Sequence, residues 1–411
     1  MMWEEAVRGI AARNGSRSNF KGWMLEIRDE KRHKLSGEEK TTCLNDFHIA
    51  HGARMAPFAG YMMPLNYTDG PLKEHMACRT GAAVFDVSHM AQLDITHPSG
   101  QAAPVLAALE GVIPANLIDL PEYHQRYGLL LNPQGGILDD VMVIHAGSYV
   151  RMVVNAACAD KDISWLAGQL TGFGISRLQR ALVAVQGPAA AKAVEQLVSL
   201  PEEVRFLQVA VSEFDGQQIE LSRSGYTGED GFEVSLPEIV AEGFVTRLIE
   251  NEGVQMAGLV ARDSLRLEAG LCLYGQDMDE DISAVTASLH WSIPKIRRKG
   301  GAREAGFIGA DITLAELAGG SAECRIGVIA PKGVPPRSGT PVFDSKAGGR
   351  QIGLVTSGSP APSVGQPVAM VRIDRDFANS DAPVFAEVRG RRLPLTRCDM
   401  PFVAHRFYRG S

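Results

Sequence analysis

The sequence predicts an α+β chain that ends in a separate all-β domain, and three observations carry that prediction. Residues 123–145 place two largely apolar runs on either side of a turn rich in Asn, Pro and Gly, the pattern of a β-hairpin. Leu259 to Glu268 reads as a strong helix, with Gly270 placed to stop it in a left-handed conformation. From about Cys324 onward, short apolar runs are separated by Gly, Pro and Ser clusters, which suggests a small β-barrel or sandwich. At 411 residues the chain is too long for one ordinary core, so two or three domains are expected.

From the N-terminus, residues 1–46 interleave basic side chains (Arg8, Arg13, Arg17, Lys21) with acids (Glu4, Glu5, Glu26, Asp29) and contain no apolar h-region. A secretory signal needs that region and an organellar transit peptide is poor in acids, so neither fits. The expectation is a partly ordered extension, or sequence upstream of the start used by relatives, on a cytoplasmic protein. A helical stretch at Gly70 to Thr80 precedes Ala83 to Met90, a strand running into a loop. The hairpin pairs Tyr127–Leu131 with Ile137–Ile144 across a turn at Asn132–Gly136. A strand from Tyr149 to Asn155, a helix from about Asp160, a strand from Val183 with an Ala-rich helix, and a second hairpin from Gln217 to Leu236 follow. Arg325–Ile329, Gly353–Thr356 and Val368–Ile373 are the clearest strands of the C-terminal part.

Composition excludes several classes of function. A net charge of −7 argues against a general nucleic-acid binder, which needs a basic excess to neutralise phosphates. The six cysteines form no CxxC pair, so free thiols in a reducing compartment are expected, with no metal site and no disulfide frame. No apolar run approaches the roughly 18 residues of a membrane span. No dinucleotide fingerprint announces a flavin.

The stretch Gly225-Tyr226-Thr227-Gly228-Glu229-Asp230-Gly231-Phe232-Glu233-Val234 is the most informative one. Period-two alternation puts Phe232, Val234 and Leu236 on one face and Glu233 and Ser235 on the other. A carboxylate there suits the paired N–H donors of a nitrogen heterocycle. A tight hairpin bearing a surface glutamate is the alternative. In the first hairpin, Asp139 and Asp140 fall on opposite faces and both faces are apolar, so at least one carboxyl is expected to be poorly solvated, with a raised pKa. Solvated acids at a strand end are the competing reading. Arg262 and Arg266 lie one helical turn apart and could grip a carboxylate or simply pair with Asp263 or Glu268. His89 reads as a structural histidine, since no nucleophile neighbours it in sequence. Lone aromatics such as Tyr274 and Trp291 read as core on residues alone.

These segments together resemble the glycine cleavage T-protein family, the tetrahydrofolate-dependent aminomethyltransferases. The match runs from about His48 to Tyr408 and includes the Phe85–Met90 motif (FDVSHM), the decapeptide, Ala261–Glu268 and Met400–Val403, in the family's order. The resemblance implies a three-domain cloverleaf around a central folate cavity. Its lobes would be residues 47–96 plus 183–288, a ferredoxin-like second domain of 97–182 plus 289–316, and a C-terminal β-barrel of 317–411. It implies Asp140 at the reaction centre, with Tyr127 thirteen residues earlier. It also implies folate contacts from Asn155, Tyr226, Glu233, Arg262, Tyr274, Trp291 and Arg406, and leaves Arg266 to an internal pair. Tetrahydrofolate would be a co-substrate, and the partner a lipoylated H-protein carrier, without metal, flavin, nucleic acid or membrane. The basic run Lys295, Arg297, Arg298, Lys299 and Arg303 would then steer that acidic carrier. A folate-dependent demethylase of small methylated compounds and a folate-binding accessory protein are the rival readings.

Overall fold

The computed structural model describes residues 39–201 and 203–410, so most of the expected extension lies outside the described residues. Its last part is integrated into the fold. Lys40–Thr41 pairs in parallel with Tyr61–Met62, Leu44 is wholly buried, and a helix spans Asn45–Ala50. The framework therefore includes residues from about 40, earlier than the expected boundary at 47.

The first large sheet has six strands in the order Val209–Phe214, Gln217–Ser222, Gly231–Pro237, Arg180–Gln186, Ala82–Asp86 and Val254–Met256. Only the last pair is parallel. Phe232, Val234 and Leu236 point inward as their alternation requires and are fully buried under the helices Ala190–Glu195 and Glu238–Ile249. On the opposite face, Phe85, Leu182 and Ala184 pack against Ala261 and Leu265 of the helix Leu259–Glu268. Gly270 follows that helix at φ +70°, the left-handed stop its position predicts.

The second sheet is antiparallel, in the order Gln125–Leu131, Ile137–His145, Val150–Val154, Ala91–Thr96 and Gly174–Arg177. Helices Ala103–Leu109 and Ala159–Gln169 pack against it. Apart from the edge strand Gln125–Leu131, this is the ferredoxin-like βαββαβ arrangement. Two segments sit elsewhere than the expected boundaries put them. Ala91–Thr96, expected in the first lobe, hydrogen-bonds to Val150–Val154 and Gly174–Arg177 and buries Leu93 and Ile95 in this second core. Residues 272–288, also expected there, pack Met278, Ile282 and Ala287 against Leu129, Leu131 and Ile137 of the hairpin.

Six C-terminal strands close a barrel: Glu323–Ile329, Gln366–Asp374, Gln351–Ala361, Pro341–Phe343, Val384–Val388 and Arg391–Cys398. Buried hydrogen bonds to Ser357 and Ser363, backed by ion pairs on the same two side chains, fasten it to the helix Leu259–Glu268. Arg266 donates to Asp277 Oδ2 at 2.8 Å and to Ser357 Oγ at 2.9 Å. Glu268 accepts from Arg79 Nη2 at 2.8 Å and from the Ser363 backbone N–H at 2.8 Å. Burial alone would raise the Glu268 pKa, but His75, Ser363 and Arg79 together hold it down to about 2.

Candidate active site

Three frameworks converge on the candidate site: the hairpin of the second sheet, the strand Gly231–Pro237 of the first, and the helix Leu259–Glu268. The loop leading into Gly231–Pro237 passes so close to its neighbour that only glycine fits. A Cβ at Gly225 would collide with the Gln186 amide, and one at Gly231 with the Val185 carbonyl.

In the hairpin, Leu129 faces Asp140 and Tyr127 faces Met142, so Tyr127 and Asp140 are diagonal neighbours on one side of the sheet. The Asp140 charge acts on the Tyr127 phenol and opposes its ionisation. Asp139, on the other side, is fully buried, whereas Asp140 is only half-buried. Asn155, just after the strand Val150–Val154, bridges the two acids. Its Nδ2 donates to Asp139 Oδ1 and to Asp140 Oδ1, each at 2.8 Å, and its backbone N–H donates to Asp139 Oδ2 at 3.0 Å. Burial, reinforced by the neighbouring Asp139 charge, pushes the Asp140 carboxyl up to about 7. Such a group exchanges a proton near neutrality. Burial and the Asp140 charge likewise push the Tyr127 phenol well up, so it stays a neutral donor. The exposed indole of Trp291 stacks on Tyr127 with centroids 5.2 Å apart.

Across from this group, Tyr226 donates its hydroxyl to the Cys272 carbonyl and presents its ring to the Arg262 guanidinium, 4.7 Å from the centroid. Arg262 Nη1 is buried without a hydrogen-bond partner, a costly state for a guanidinium and one that an anionic ligand group would relieve. Burial lowers the Arg262 pKa, and the attraction of Glu233 is the largest opposing influence. Glu233 is half-buried and is oriented by Ser224 Oγ, which donates to Oε2 at 2.8 Å. The two groups meet through Tyr226, whose ionisation is opposed by burial and by the Asp140 charge and favoured by Arg266 and Arg262.

Tyr274 sits at the start of the Asp140 strand, where its hydroxyl donates to the Ile137 carbonyl at 3.2 Å and accepts from Lys161 Nζ at 3.3 Å. Asn155 is occupied with the two aspartates, so its place is behind Asp140 as a clamp. Arg406 is engaged elsewhere: its exposed guanidinium lies 3.3 Å from buried Glu229 and its backbone N–H donates to the Gly228 carbonyl at 2.8 Å. Arg266 makes the internal pair expected of it, with Asp263 and Asp277.

The basic run is not the uniform patch its spacing suggests. Arg297 is buried against Glu110, donating to Oε2 and to the carbonyl, both at 2.8 Å. Arg303 is spent on Glu110 and Asp119, and Arg298 on the Ile293 and His290 carbonyls at 2.7 Å each. Lys295 and Lys299 remain exposed, in the same segment as Trp291. Sequence reasoning missed Ser224, whose only signal was adjacency to the decapeptide, and Lys161, which had none. His89, read as a structural histidine, is buried with its Nδ1 unpartnered; burial, with the nearby Arg262 charge, depresses its pKa to about 4 against the pull of Asp86. Among the described residues, no cluster of three or more His, Cys, Asp or Glu side chains could hold a metal ion, and no helix is long and apolar enough to cross a membrane.

With this geometry in place, the comparisons are specific. Residues 44–296 match the family model described as the GCVT N-terminal domain, and residues 325–404 the glycine cleavage T-protein C-terminal barrel domain. The chain is 39% identical over 382 residues to the probable mitochondrial aminomethyltransferase of Schizosaccharomyces pombe, covering 91% of this chain and 95% of that protein. It is likewise 39% identical over 374 residues to an aminomethyltransferase of Stenotrophomonas maltophilia, covering 88% and 95%. The crystal structure of the glycine cleavage system aminomethyltransferase T from Bartonella henselae superposes with a TM-score of 0.84 at 37% identity, over 90% of this chain and 100% of that one.

Proposed function

Because the chain belongs to the glycine cleavage T-protein family, the aminomethyltransferases, we propose that it moves a methylene group from the S-aminomethyl-lipoyl arm of an H-protein carrier to tetrahydrofolate at the Asp140 centre. The observation that carries this reading is the convergence of Asp140, Tyr127, Tyr226 and Arg262, with an orphaned guanidinium nitrogen at the edge. In the overall exchange, the carbon–sulfur and carbon–amine bonds of the aminomethyl group break and two carbon–nitrogen bonds to folate form. The two folate N–H protons leave with ammonia and with the free dihydrolipoyl thiol.

The residues present fit a reduced folate. Glu233 offers two acceptor oxygens to the amino and ring N–H groups of a pterin, Arg262 an unpaired donor to a carboxylate, and the stacked Tyr127–Trp291 pair a flat apolar wall. Tetrahydrofolate supplies the nucleophilic nitrogens, and the protein supplies orientation, which by itself is worth on the order of 10⁵ in effective molarity or more. Asp140, with a proton affinity near neutral, can hold negative charge beside a developing cation and accept or return a proton at its carboxylate. Asn155 holds that carboxylate in place, with Tyr127 a diagonal neighbour on the same side of the sheet.

Lys295 and Lys299, flanking the exposed Trp291 segment, provide a reduced basic rim for an acidic carrier. The six free cysteines suit a reducing compartment, and the bacterial relative fits a cytoplasmic one. The deciding experiment is a folate-dependent turnover assay of wild type and Asp140→Asn, with aminomethylated lipoyl carrier compared with small methylated amines. The expected result is carrier-dependent turnover that falls by about 10²-fold or more in the variant while folate binding persists. Near-normal turnover by Asp140→Asn would remove Asp140 from the mechanism, and preference for the small amines would replace the carrier as substrate.

A further inference from the structure

Arg79, in the last turn of the helix Pro71–Thr80, is a buried cation to which the transfer reaction, as described, gives no part. Its nitrogens reach three separate segments. Nη1 donates to the Thr227 carbonyl and to Glu229 Oε1, each at 2.8 Å, in the loop that carries Tyr226. Nη2 donates to Glu268 Oε2 at 2.8 Å, at the C-terminal end of the helix that carries Arg262. Nε lies 3.3 Å from Ser363 Oγ, in the turn between two strands of the barrel. Glu229 and Glu268 are themselves buried, so neither carboxylate has water as an alternative partner. A planar guanidinium can hold two such groups in two directions at once, whereas an ammonium is a single point of charge. The same loop is also held by Gln186, a buried amide that donates to the Ser224 carbonyl at 2.9 Å and accepts from Thr227 Oγ1 at 2.8 Å. Thr227, the residue directly after Tyr226, is therefore fixed through both its hydroxyl and its carbonyl.

We propose that Arg79 is a positioning residue for folate: by gripping Thr227 and Glu229 with one nitrogen and Glu268 with another, it sets the register between the Tyr226 ring and the Arg262 guanidinium. Those two groups stand 4.7 Å apart, one on the loop and one on the helix. Glu268 follows Arg262 by about 9 Å along one continuous helix, so a grip on one end fixes the other. Arg262 Nη1 has no hydrogen-bond partner, which leaves the ring beneath it and the backbone that carries it to set its direction. If the loop slides against the helix, that nitrogen no longer lines up with a ligand carboxylate, and a misaligned hydrogen bond weakens steeply. Both Nη1 hydrogens of Arg79 are taken by the loop, so Arg79 acts through Arg262. The inference rests on the proposed folate site, so its test reads folate binding directly and apart from turnover.

The experiment is a double-mutant cycle on the full chain, with tetrahydrofolate affinity measured by anaerobic calorimetric titration. Arg79→Lys keeps a positive charge between the two buried acids but cannot hold loop and helix with separate nitrogens. It should weaken tetrahydrofolate by about ten-fold, as should Arg262→Met. The combined variant should bind within about two-fold of the weaker single one, because both changes disable the same contact. Wild-type affinity in Arg79→Lys overturns the proposal. Losses that multiply in the combined variant overturn it too, since Arg79 would then act on the fold and not through Arg262. If Arg79→Lys does not fold, Glu229→Gln decides in its place. It keeps an acceptor oxygen for Nη1 while removing the charge, and should weaken tetrahydrofolate by roughly two- to five-fold, only where Arg262 is present. Unchanged affinity in Glu229→Gln, or the same loss without Arg262, overturns the proposal. Wild-type protein that binds no tetrahydrofolate would instead bring down the folate reading, and this inference with it.

Discussion

Asp140→Asn should make the protein more stable as pH rises, even as it removes turnover. The carboxyl is raised from 3.8 to about 7 in the folded state, chiefly by burial and then by the charge of Asp139. Between those two values the folded protein holds a proton that the unfolded chain has released, so wild-type stability falls as pH climbs through the window. Below pH 3.8 the carboxyl is protonated in both states and the variant gains nothing. At 1.36 kcal/mol per pKa unit the full rise corresponds to about 4 kcal/mol. Asp140 is only half-buried, so solvent screening reduces the expected gain to about 1–2 kcal/mol. Asparagine keeps an oxygen to accept from Asn155 Nδ2, so little packing is lost. Thermal midpoints of wild type and Asp140→Asn, measured at pH 5 and pH 8, provide the assay. The gap in favour of the variant should widen by roughly 2–4 °C at pH 8. An equal gap at both pH values would refute the claim that a burial-raised carboxyl stands at this position.

Arg297→Glu should destabilise the protein by about 3–5 kcal/mol, because it sets a second carboxylate against buried Glu110, and a large fall in melting temperature would show it. Lys299→Glu, on the exposed rim, should leave the melting temperature unchanged and weaken the carrier KM in a salt-dependent way; an unchanged KM would remove this lysine from docking. Arg262→Met should weaken folate binding by about ten-fold or more in direct titration, since it removes a charge-assisted donor, while relieving an unpaired buried nitrogen in the free protein. Trp291→Ala should raise the folate KM with a smaller effect on kcat, because the ring stacks on Tyr127 and does not touch Asp140 in any hydrogen bond.

Local periodicity made much of the fold legible. The hairpin around Asn132–Gly136, the helix Leu259–Glu268 and the alternation of Phe232, Val234 and Leu236 all follow from spacing that a strand or helix imposes on its own side chains. The place of Ala91–Thr96 did not, because its partners Val150–Val154 and Gly174–Arg177 lie more than fifty residues away in sequence and strand alternation says nothing about which sheet receives it. Arg297 misled for a related reason: a run of basic residues looks solvated until the distant Glu110 is folded against it. The burial of Asp162, in the helix Ala159–Gln169, was legible too. Ala159, Asp162, Ile163, Leu166 and Leu170 repeat at helical spacing, which puts this aspartate on the apolar face, whereas an acid in a helix's first turn reads by habit as a dipole partner.

The unsatisfied groups explain why such a site needs a stiff frame. Arg262 Nη1 and His89 Nδ1 are each buried without a hydrogen-bond partner, Arg262 under the pull of Glu233 and His89 under the repulsion of Arg262. Each such group costs roughly 1–3 kcal/mol, so the site region as a whole opposes folding. A flexible lobe would relax to hydrate them. The buried ties of Arg266 to Asp277 and Ser357, and of Glu268 to Arg79 and Ser363, prevent that by fastening the helix that carries Arg262 to the barrel. Glu268 keeps its charge down to about pH 2, so this clamp holds across the pH range in which Asp140 titrates. The protonation state of Asp140 can therefore change with pH while the helix that carries Arg262 stays fixed against Tyr226 and Glu233.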